Sequence, residues 1–294
     1  MQFLIFAISY PIIWILSLLP MRVLYILSDF LYVLFFYLIG YRKKVVLQNL
    51  QLAFPKKELS ELKTIQKDFF KHFTDIFVES IKAFSITKKT LLKRYKFTNP
   101  ELIDELYDKG RSIAFMGAHQ ANWEWSISIP LYVKIKCFGA YTRIGNRYFD
   151  KTVKKSRTKF GFIGYKTTET IKSISRNFNE GIQGLYLLLS DQSPQIHKTH
   201  YWREFMGIKV PIHTGAEMIA KKFDMAVVNY SVKKIKRGYF EVTFETITEH
   251  PNNFKDYEIT DKYLAITERN IMNQPAYYLW SHKRFKHRDK VPKK

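Results

Sequence analysis

The chain has 294 residues, 46% hydrophobic and 25% charged, with 12 Gly and 10 Pro, a composition that buries a large core and excludes disordered and collagen-like classes. Its single cysteine, Cys137, excludes an internal disulfide framework and any cysteine-based zinc site. Lys and Arg number 48 against 26 Asp and Glu, a formal charge of +22, which points to an anionic partner (nucleic acid, a membrane face or an acidic protein) and not to a fold.

Residues Phe3 to Leu19 (FLIFAISYPIIWILSLL) carry no charge, and after Pro20, Met21 and Arg22 a second apolar run continues from Val23 to Ile39, interrupted by Ser28 and Asp29. Each run is about 17 residues, at the short end of the ~17–25 that span a hydrocarbon core. No Lys or Arg precedes the first run and no clear small-x-small cleavage site follows it, which argues against a cleavable signal peptide. Pro11 and Asp29 leave open two spans, a re-entrant hairpin, or one span with an interfacial helix, beside the competing reading of two buried core helices. Arg42, Lys43 and Lys44 follow at once and place the body of the protein on the cytoplasmic side, in agreement with the lone cysteine.

From Lys57 to Phe84, Leu59, Leu62, Ile65, Phe69, Phe73, Phe77 and Ile81 recur at three- and four-residue spacing, which predicts one long or two short amphipathic helices. The period then changes. Short apolar or alternating runs at Ser112–Gly117, Lys136–Thr142, Leu185–Ser190, Met225–Val232 and Tyr239–Thr246 predict strands, with helical patterns beginning near Trp123, Arg147, Thr170 and His213 and a final helix over Tyr257–Asn273. Strands alternating with helices predict an α/β fold with a mostly parallel sheet flanked by helices, whose ligands bind at the carboxyl ends of the strands. No glycine-rich phosphate loop occurs, so nucleotide cofactors receive no support.

The first candidate site follows the first core strand: Gly117-Ala118-His119-Gln120-Ala121-Asn122-Trp123-Glu124. His119 stands where the strand stops, and Asn122 suits the N-cap of the next helix. The H-x4-E spacing carries no information by itself, since 8 His and 26 acids in 294 residues produce it by chance; its place at a strand end does. Across a strand, turn and first helical turn a carboxylate at Glu124 can reach one ring nitrogen of His119 and free the other to take a proton. A surface or core histidine is the competing reading. No G-x-S-x-G nucleophile motif accompanies it, so the group such a base would activate is a hydroxyl of the substrate itself. Asp191-Gln192 follows the strand Leu185–Ser190 and would share the same rim, although a turn or helix-cap aspartate fits as well.

A basic belt comprises Lys134, Lys136, Arg143, Arg147, Lys151, Lys154, Lys155, Arg157, Lys159 and Lys166, with Asp150 its one acid; most of it reads as a solvated face, and one or two of its arginines could bind an anionic headgroup. The run His282–Arg288, followed by Lys290, Lys293 and Lys294, could bind nucleic acid, phospholipid headgroups or an acidic carrier. His197 and His200 lack a helical zinc pattern, no metal is expected, and Cys137 reads as a small core residue.

Six blocks in order resemble the bacterial lipid A late acyltransferases, the lauroyl and myristoyl transferases of the lysophospholipid acyltransferase superfamily. They are Arg42–Pro55 (RKKVVLQNLQLAFP), His119 with Glu124, Tyr141–Asp150 with Asn146 and the downstream Arg157, Asp191-Gln192, Phe205–Gly215 (FMGIKVPIHTG) and Tyr278–Arg288 (YLWSHKRFKHR). The resemblance implies a glycerol-3-phosphate acyltransferase-like α/β fold, with a membrane anchor at 1–40 and an acyltransferase domain at 41–294 made of a helical lead-in, 41–110, and an α/β core, 111–294. It also implies acyl transfer from an acyl carrier protein thioester to a hydroxyl of a lipid acceptor at the cytoplasmic face of the inner membrane, without cofactor or nucleic acid. His119 would be the general base and Glu124 its orienting carboxylate; Arg157, Asp191, Asn146 and Arg143 would bind substrate, Arg157 through an acceptor phosphate. Thr142 stands where the family often has Arg, with Arg143 one residue late, which opens the acceptor to lysophospholipids, other glycolipids or aminolipids. A non-enzymatic basic membrane- or nucleic-acid-binding protein is the alternative from another class, and no RNA-recognition, zinc-finger or helix-turn-helix signature accompanies the charge.

Overall fold

A computed structural model describes residues 1–292; Lys293 and Lys294 lie outside the described residues. The N-terminal runs form α1, Gln2–Leu18, and α2, Met21–Val33, which continues as a π-helix over Leu34–Ile39. Met21–Ile39 is 19 residues and is long and apolar enough to cross a membrane by length and composition, which fits an N-terminal membrane anchor. The two are not buried core helices: Phe3, Ile8 and Ile12 of α1 and Ile26, Phe30 and Leu38 of this second helix are exposed, although Leu24 and Phe36 reach the core.

After α3, Lys43–Ala53, the amphipathic run forms one helix, α4, Leu59–Lys82. Glu58 and Glu61 close a capping box at its start, satisfying amide groups that the first turn leaves free. Its apolar face buries Leu62, Phe69, Phe70 and Val78, and α2 lies along it. Polar groups stitch this contact. Ser28 Oγ donates to Asp75 Oδ1 at 2.8 Å, Arg237 Nε donates to the same oxygen at 2.8 Å, and Arg237 Nη2 donates to Asp29 Oδ1 at 2.6 Å. Lys234 Nζ adds a contact to Asp75 Oδ2 at 3.4 Å. Gly238, beside Arg237, has φ +72° and would place a Cβ 1.9 Å from the Tyr25 hydroxyl, so α2 approaches this turn too closely for a side chain.

The segment α5, Lys88–Arg94, β1, Tyr95–Phe97, and α6, Glu101–Asp108, leads into the sheet. Its strands are β2, Ile113–Gly117; β3, Lys136–Tyr141; β4, Ile163–Lys166; and β5, Gly184–Leu189. Between them lie a 3-10 segment at Trp123–Leu131, α7 at Arg147–Arg157 and α8 at Thr170–Asn179. A separate antiparallel hairpin of β6, Tyr201–Phe205, and β7, Ile208–Ile212, precedes α9, Gly215–Lys222. The chain then forms β8, Ala226–Lys236, β9, Tyr239–Thr248, and α10, Glu258–Asn273. The main sheet has the order β1-β9-β8-β2-β5-β3-β4. Only β8 and β9 pair antiparallel, because a tight turn joins them; every other pairing is parallel. Alternate residues of β2 feed the two sides of the sheet, Ala114 and Met116 into one apolar cluster, Ile113 and Phe115 into the other.

The sequence pattern misses β1, β4 and the β6–β7 hairpin. These are short, and β4 alternates around Gly164 with one buried residue, Tyr165. The helix expected from Trp123 is a 3-10 segment, since Pro130 removes an amide donor near its end.

Replacing Asp75 by Ala removes the anion shared by Ser28, Lys234 and Arg237 and leaves the Lys234 ammonium, 10% exposed, without it. Breaking a buried pair in this way costs about 3 kcal/mol or more. Denaturant unfolding of the detergent-solubilised variant checks this, and a loss below about 1 kcal/mol would mean that water screens the cluster.

Candidate active site

Strand register builds the site. β2 and β5 pair with Gly117 opposite Leu189, and two residues beyond each stand His119 and Asp191. Equal steps past a paired position bring the side chains together: His119 Nδ1 lies 2.7 Å from Asp191 Oδ1, and the His119 amide donates to Oδ2 at 3.1 Å. Asp191 is 1% exposed, while His119 reaches a cavity. Burial alone lowers the histidine, but the Asp191 charge and hydrogen bond, with a contribution from the Glu124 charge, hold it above the usual range. Burial likewise raises Asp191, and the His119 charge with its side-chain and backbone hydrogen bonds brings it below the usual carboxylate range. An ionised carboxylate can only accept, so Nδ1 carries the proton and Nε2 is the ring nitrogen left to act as a base.

Glu124 is not the carboxylate that holds His119. Ala121 takes a left-handed φ of 48°, the Trp123 ring packs edge-on against the imidazole with centroids 5.3 Å apart, and the 3-10 turn carries Glu124 to another wall of the cavity. There Arg157 Nη2 donates to both of its oxygens, at 3.1 and 3.2 Å. That pair is partly exposed and contributes little to stability.

The cavity holds about 430 Å³ between the Trp123–Leu131 segment, α7 and the ends of β3 to β5. Ile127, Phe162, Leu187 and Leu189 are among its apolar lining residues, and His119, Glu124, Asp150, Lys154 and Arg157 are among its titratable ones. Of the expected substrate-binding residues, Arg157 lines it. Asp191 lies behind His119, and Arg143 stands on the exposed loop between two lining residues, Thr142 and Ile144. The Asn146 side chain serves the fold: Oδ1 accepts from the Tyr148 and Phe149 amides at 3.0 and 3.4 Å, capping α7, and Nδ2 donates to the Gln2 carbonyl at 2.8 Å. Lys154 is a wall cation that the belt contained but did not single out. A second, open depression shares Tyr141, Lys154 and Gly164 with the cavity and is lined by Lys166, Lys172 and Arg176.

The C-terminal run, expected as a binding surface, is partly interior. Arg284 is 1% exposed, donates from Nη1 to the Pro211 carbonyl at 3.1 Å and stacks over Phe205. His282 Nε2 accepts from the Ser193 amide at 3.1 Å, and burial, with the Arg284 and Lys286 charges adding to it, pushes the imidazole down to about 4. The preceding residues brace the His119 loop: the Leu279 amide donates to the His119 carbonyl at 3.0 Å and the Ala121 amide to the Tyr277 carbonyl at 2.8 Å.

Asn122 and Glu79 support the loop from beneath. Asn122 Oδ1 accepts from the Trp125 amide at 3.1 Å, and its Nδ2 donates to Glu79 Oε2 at 2.6 Å. Glu79 Oε1 accepts from the Tyr25 hydroxyl at 2.8 Å. Burial, with the Asp75 charge adding to it, pushes the Glu79 carboxyl up to about 7. Asn122 was legible as a cap; nothing in the α4 pattern marked Glu79, which follows Ile76-Phe77-Val78 and precedes Ser80. Asn122→Ala removes the cap and leaves a fully buried carboxyl without its donor, so unfolding free energy falls by about 2–4 kcal/mol, measured by denaturant titration. A loss of only a few tenths would show that Glu79 finds another donor.

A family model described as bacterial lipid A biosynthesis acyltransferase matches residues 2–287. No curated protein matches the chain.

Proposed function

The chain belongs to the bacterial lipid A biosynthesis acyltransferase family, and from that premise we propose that it is a membrane-bound enzyme moving a fatty acyl group from an acyl carrier protein thioester to a hydroxyl of a lipid A precursor, at the cytoplasmic face of the inner membrane. The family supports an acyltransferase with a lipid acceptor; donor, location and residue roles are our reading. In it residues 1–40 serve membrane docking and 41–294 carry the chemistry. The observation that carries the residue assignment is the His119–Asp191 pair, whose imidazole lines a cavity with both apolar and charged walls.

The steps follow from that pair. The acceptor hydroxyl gives its proton to His119 Nε2 as its oxygen attacks the thioester carbonyl carbon. Asp191 keeps Nδ1 protonated and stabilises the imidazolium. The tetrahedral intermediate collapses by expelling the carrier thiolate, which takes the proton from Nε2. A thioester is already activated, so general-base catalysis of about 10²–10⁴-fold with positioning is a sufficient account of the residues' share. The apolar lining of the cavity suits an acyl chain, and Arg157 with Lys154 suits an acceptor phosphate. The depression, where Lys154, Lys166, Lys172 and Arg176 outnumber Glu169 and Glu180, suits an acidic carrier protein.

Transfer of labelled acyl groups from acyl carrier protein to under-acylated lipid A tests the reaction. His119→Ala is expected to lower turnover by about 10²–10⁴-fold with membrane association intact. Loss of both would make His119 structural, and no transfer by the wild type would move the acceptor to a lysophospholipid or another glycolipid. The base must be neutral, and its pKa is raised, so the rate should climb with pH through a value above that of free histidine. Asp191→Asn should move that acid limb to lower pH and reduce kcat by about 10²-fold or more; an unmoved limb would assign it to another group. Lys172→Glu with Arg176→Glu should raise KM for the carrier about tenfold or more with kcat retained, and an unchanged KM would place the carrier elsewhere.

A further inference from the structure

The apolar N-terminal helices are held by the catalytic body along their length, and their polar contacts fall at the middle of the segment that is long enough to span. Ser28 and Asp29 lie near the midpoint of Met21–Ile39. Ser28 is bonded to Asp75 of α4, and Asp29 is paired with Arg237 at the β8–β9 turn. Were this helix to cross a bilayer, that turn, with Arg237, Asp75 and Lys234, would be carried to the hydrocarbon midplane, where charges are strongly disfavoured. One face is docked, with Met21, Leu24 and Ser28 buried; the other leaves Val23, Ile26, Phe30 and Leu38 exposed. α1 behaves alike. Phe6 packs on Tyr148 and Phe149 of α7, Lys82 Nζ donates to the Ser17 and Leu19 carbonyls, and Leu4, Ile8, Ile12 and Ile15 stay exposed.

Cations accompany this apolar surface. Lys43 Nζ lies 3.9 Å from the Phe36 ring centre and Lys71 Nζ 5.9 Å from that of Tyr32. Arg147 opens α7 where Gln2 contacts it. An apolar face with cations beside it matches the acyl boundary and anionic headgroups of a membrane leaflet.

We propose that residues 1–41 form an in-plane hairpin that seats the protein on one leaflet of an anionic phospholipid bilayer, with neither helix crossing it. The inference rests on the membrane-bound reading given above and specifies its geometry. It also explains how a lipid acceptor reaches His119. α7 lines the cavity with Val153, Lys154 and Arg157 and packs its Tyr148 and Phe149 against α1. Ile144 lines the cavity while the Gly145 carbonyl accepts from Gln2. The cavity wall is thus continuous with the hairpin, and an acceptor can enter with its chains still in the leaflet.

The test uses the full chain bound to vesicles of phosphatidylethanolamine and phosphatidylglycerol. Val23→Cys, Phe30→Cys and Leu38→Cys each place a bimane fluorophore on the exposed face. Cys137 stays in place, since it is buried and its thiol is pushed up to about 12. Each variant is first matched to the parent by thermal unfolding in detergent, with Ile26→Cys replacing any that fails. Quenching by lipids spin-labelled at different depths is expected to place all three probes at one shallow depth, with no free-thiol variant labelled by a maleimide trapped in the vesicle lumen. A Phe30 probe at the midplane between shallow Val23 and Leu38 probes, or lumenal labelling at either end, overturns the in-plane geometry and leaves the membrane-bound reading standing. Failure to sediment with the vesicles overturns both, and is distinguished because no depth is then measured.

Discussion

The parallel pairing of β2 with β5 is the constraint on which the site depends. It sets Gly117 opposite Leu189, and the two residues that follow each strand deliver an imidazole and a carboxylate to the same point on the rim. Parallel strands end on the same side of a sheet, so side chains 72 positions apart in the chain meet at 2.7 Å. Everything around the pair preserves that alignment. Gly117 leaves room for the Tyr230 ring, which a Cβ would approach to 2.1 Å, and the Tyr263 hydroxyl donates to the Gly117 carbonyl at 2.6 Å. The Asp191 charge is acceptable at 1% exposure because the His119 ring and amide both donate to it.

A second polar system lies under the His119 loop and joins it to the N-terminal helices. Tyr25 reaches Glu79, Glu79 reaches Asn122, and Asn122 caps the segment that carries Glu124. Beside it, Asp75 gathers Ser28, Lys234 and Arg237. The helices that present an apolar face to the outside are therefore part of the same folded unit as the His119 loop. A buried network of this kind is costly when half satisfied and specific when complete.

The sequence made the α/β class legible through physical regularities that survive without tertiary context. Apolar strand runs ending at His119 and Asp191, helical periodicity over Leu59–Lys82, and an uncharged N-terminus each follow from local burial requirements. Strand β4 and the β6–β7 hairpin escaped because short, partly exposed strands carry a weak period-2 signal. The site was legible in part. His119 and Asp191 stood out by their position at strand ends, Glu124 by its reach to His119 across the turn and Arg157 by resemblance, yet the expected pairing was His119 with Glu124 and the structure pairs His119 with Asp191.

What the sequence determined by itself is which chemistry was available: an imidazole and carboxylates at the carboxyl ends of parallel strands, cations nearby, and an apolar N-terminus without a charge before Arg22. What only the tertiary structure decided is which carboxylate serves the imidazole. Glu124 is five residues from His119 and Asp191 is 72 away, and local spacing favours the nearer. Strand register overrides proximity in sequence, because a left-handed turn and a tryptophan ring turn Glu124 toward Arg157, while a paired strand brings Asp191 to the ring nitrogen. The same reason governs Arg284, which the sequence offered as part of a binding run, and Glu79, both of them interior: burial depends on what long-range packing places against a side chain, and no neighbour in sequence reports it.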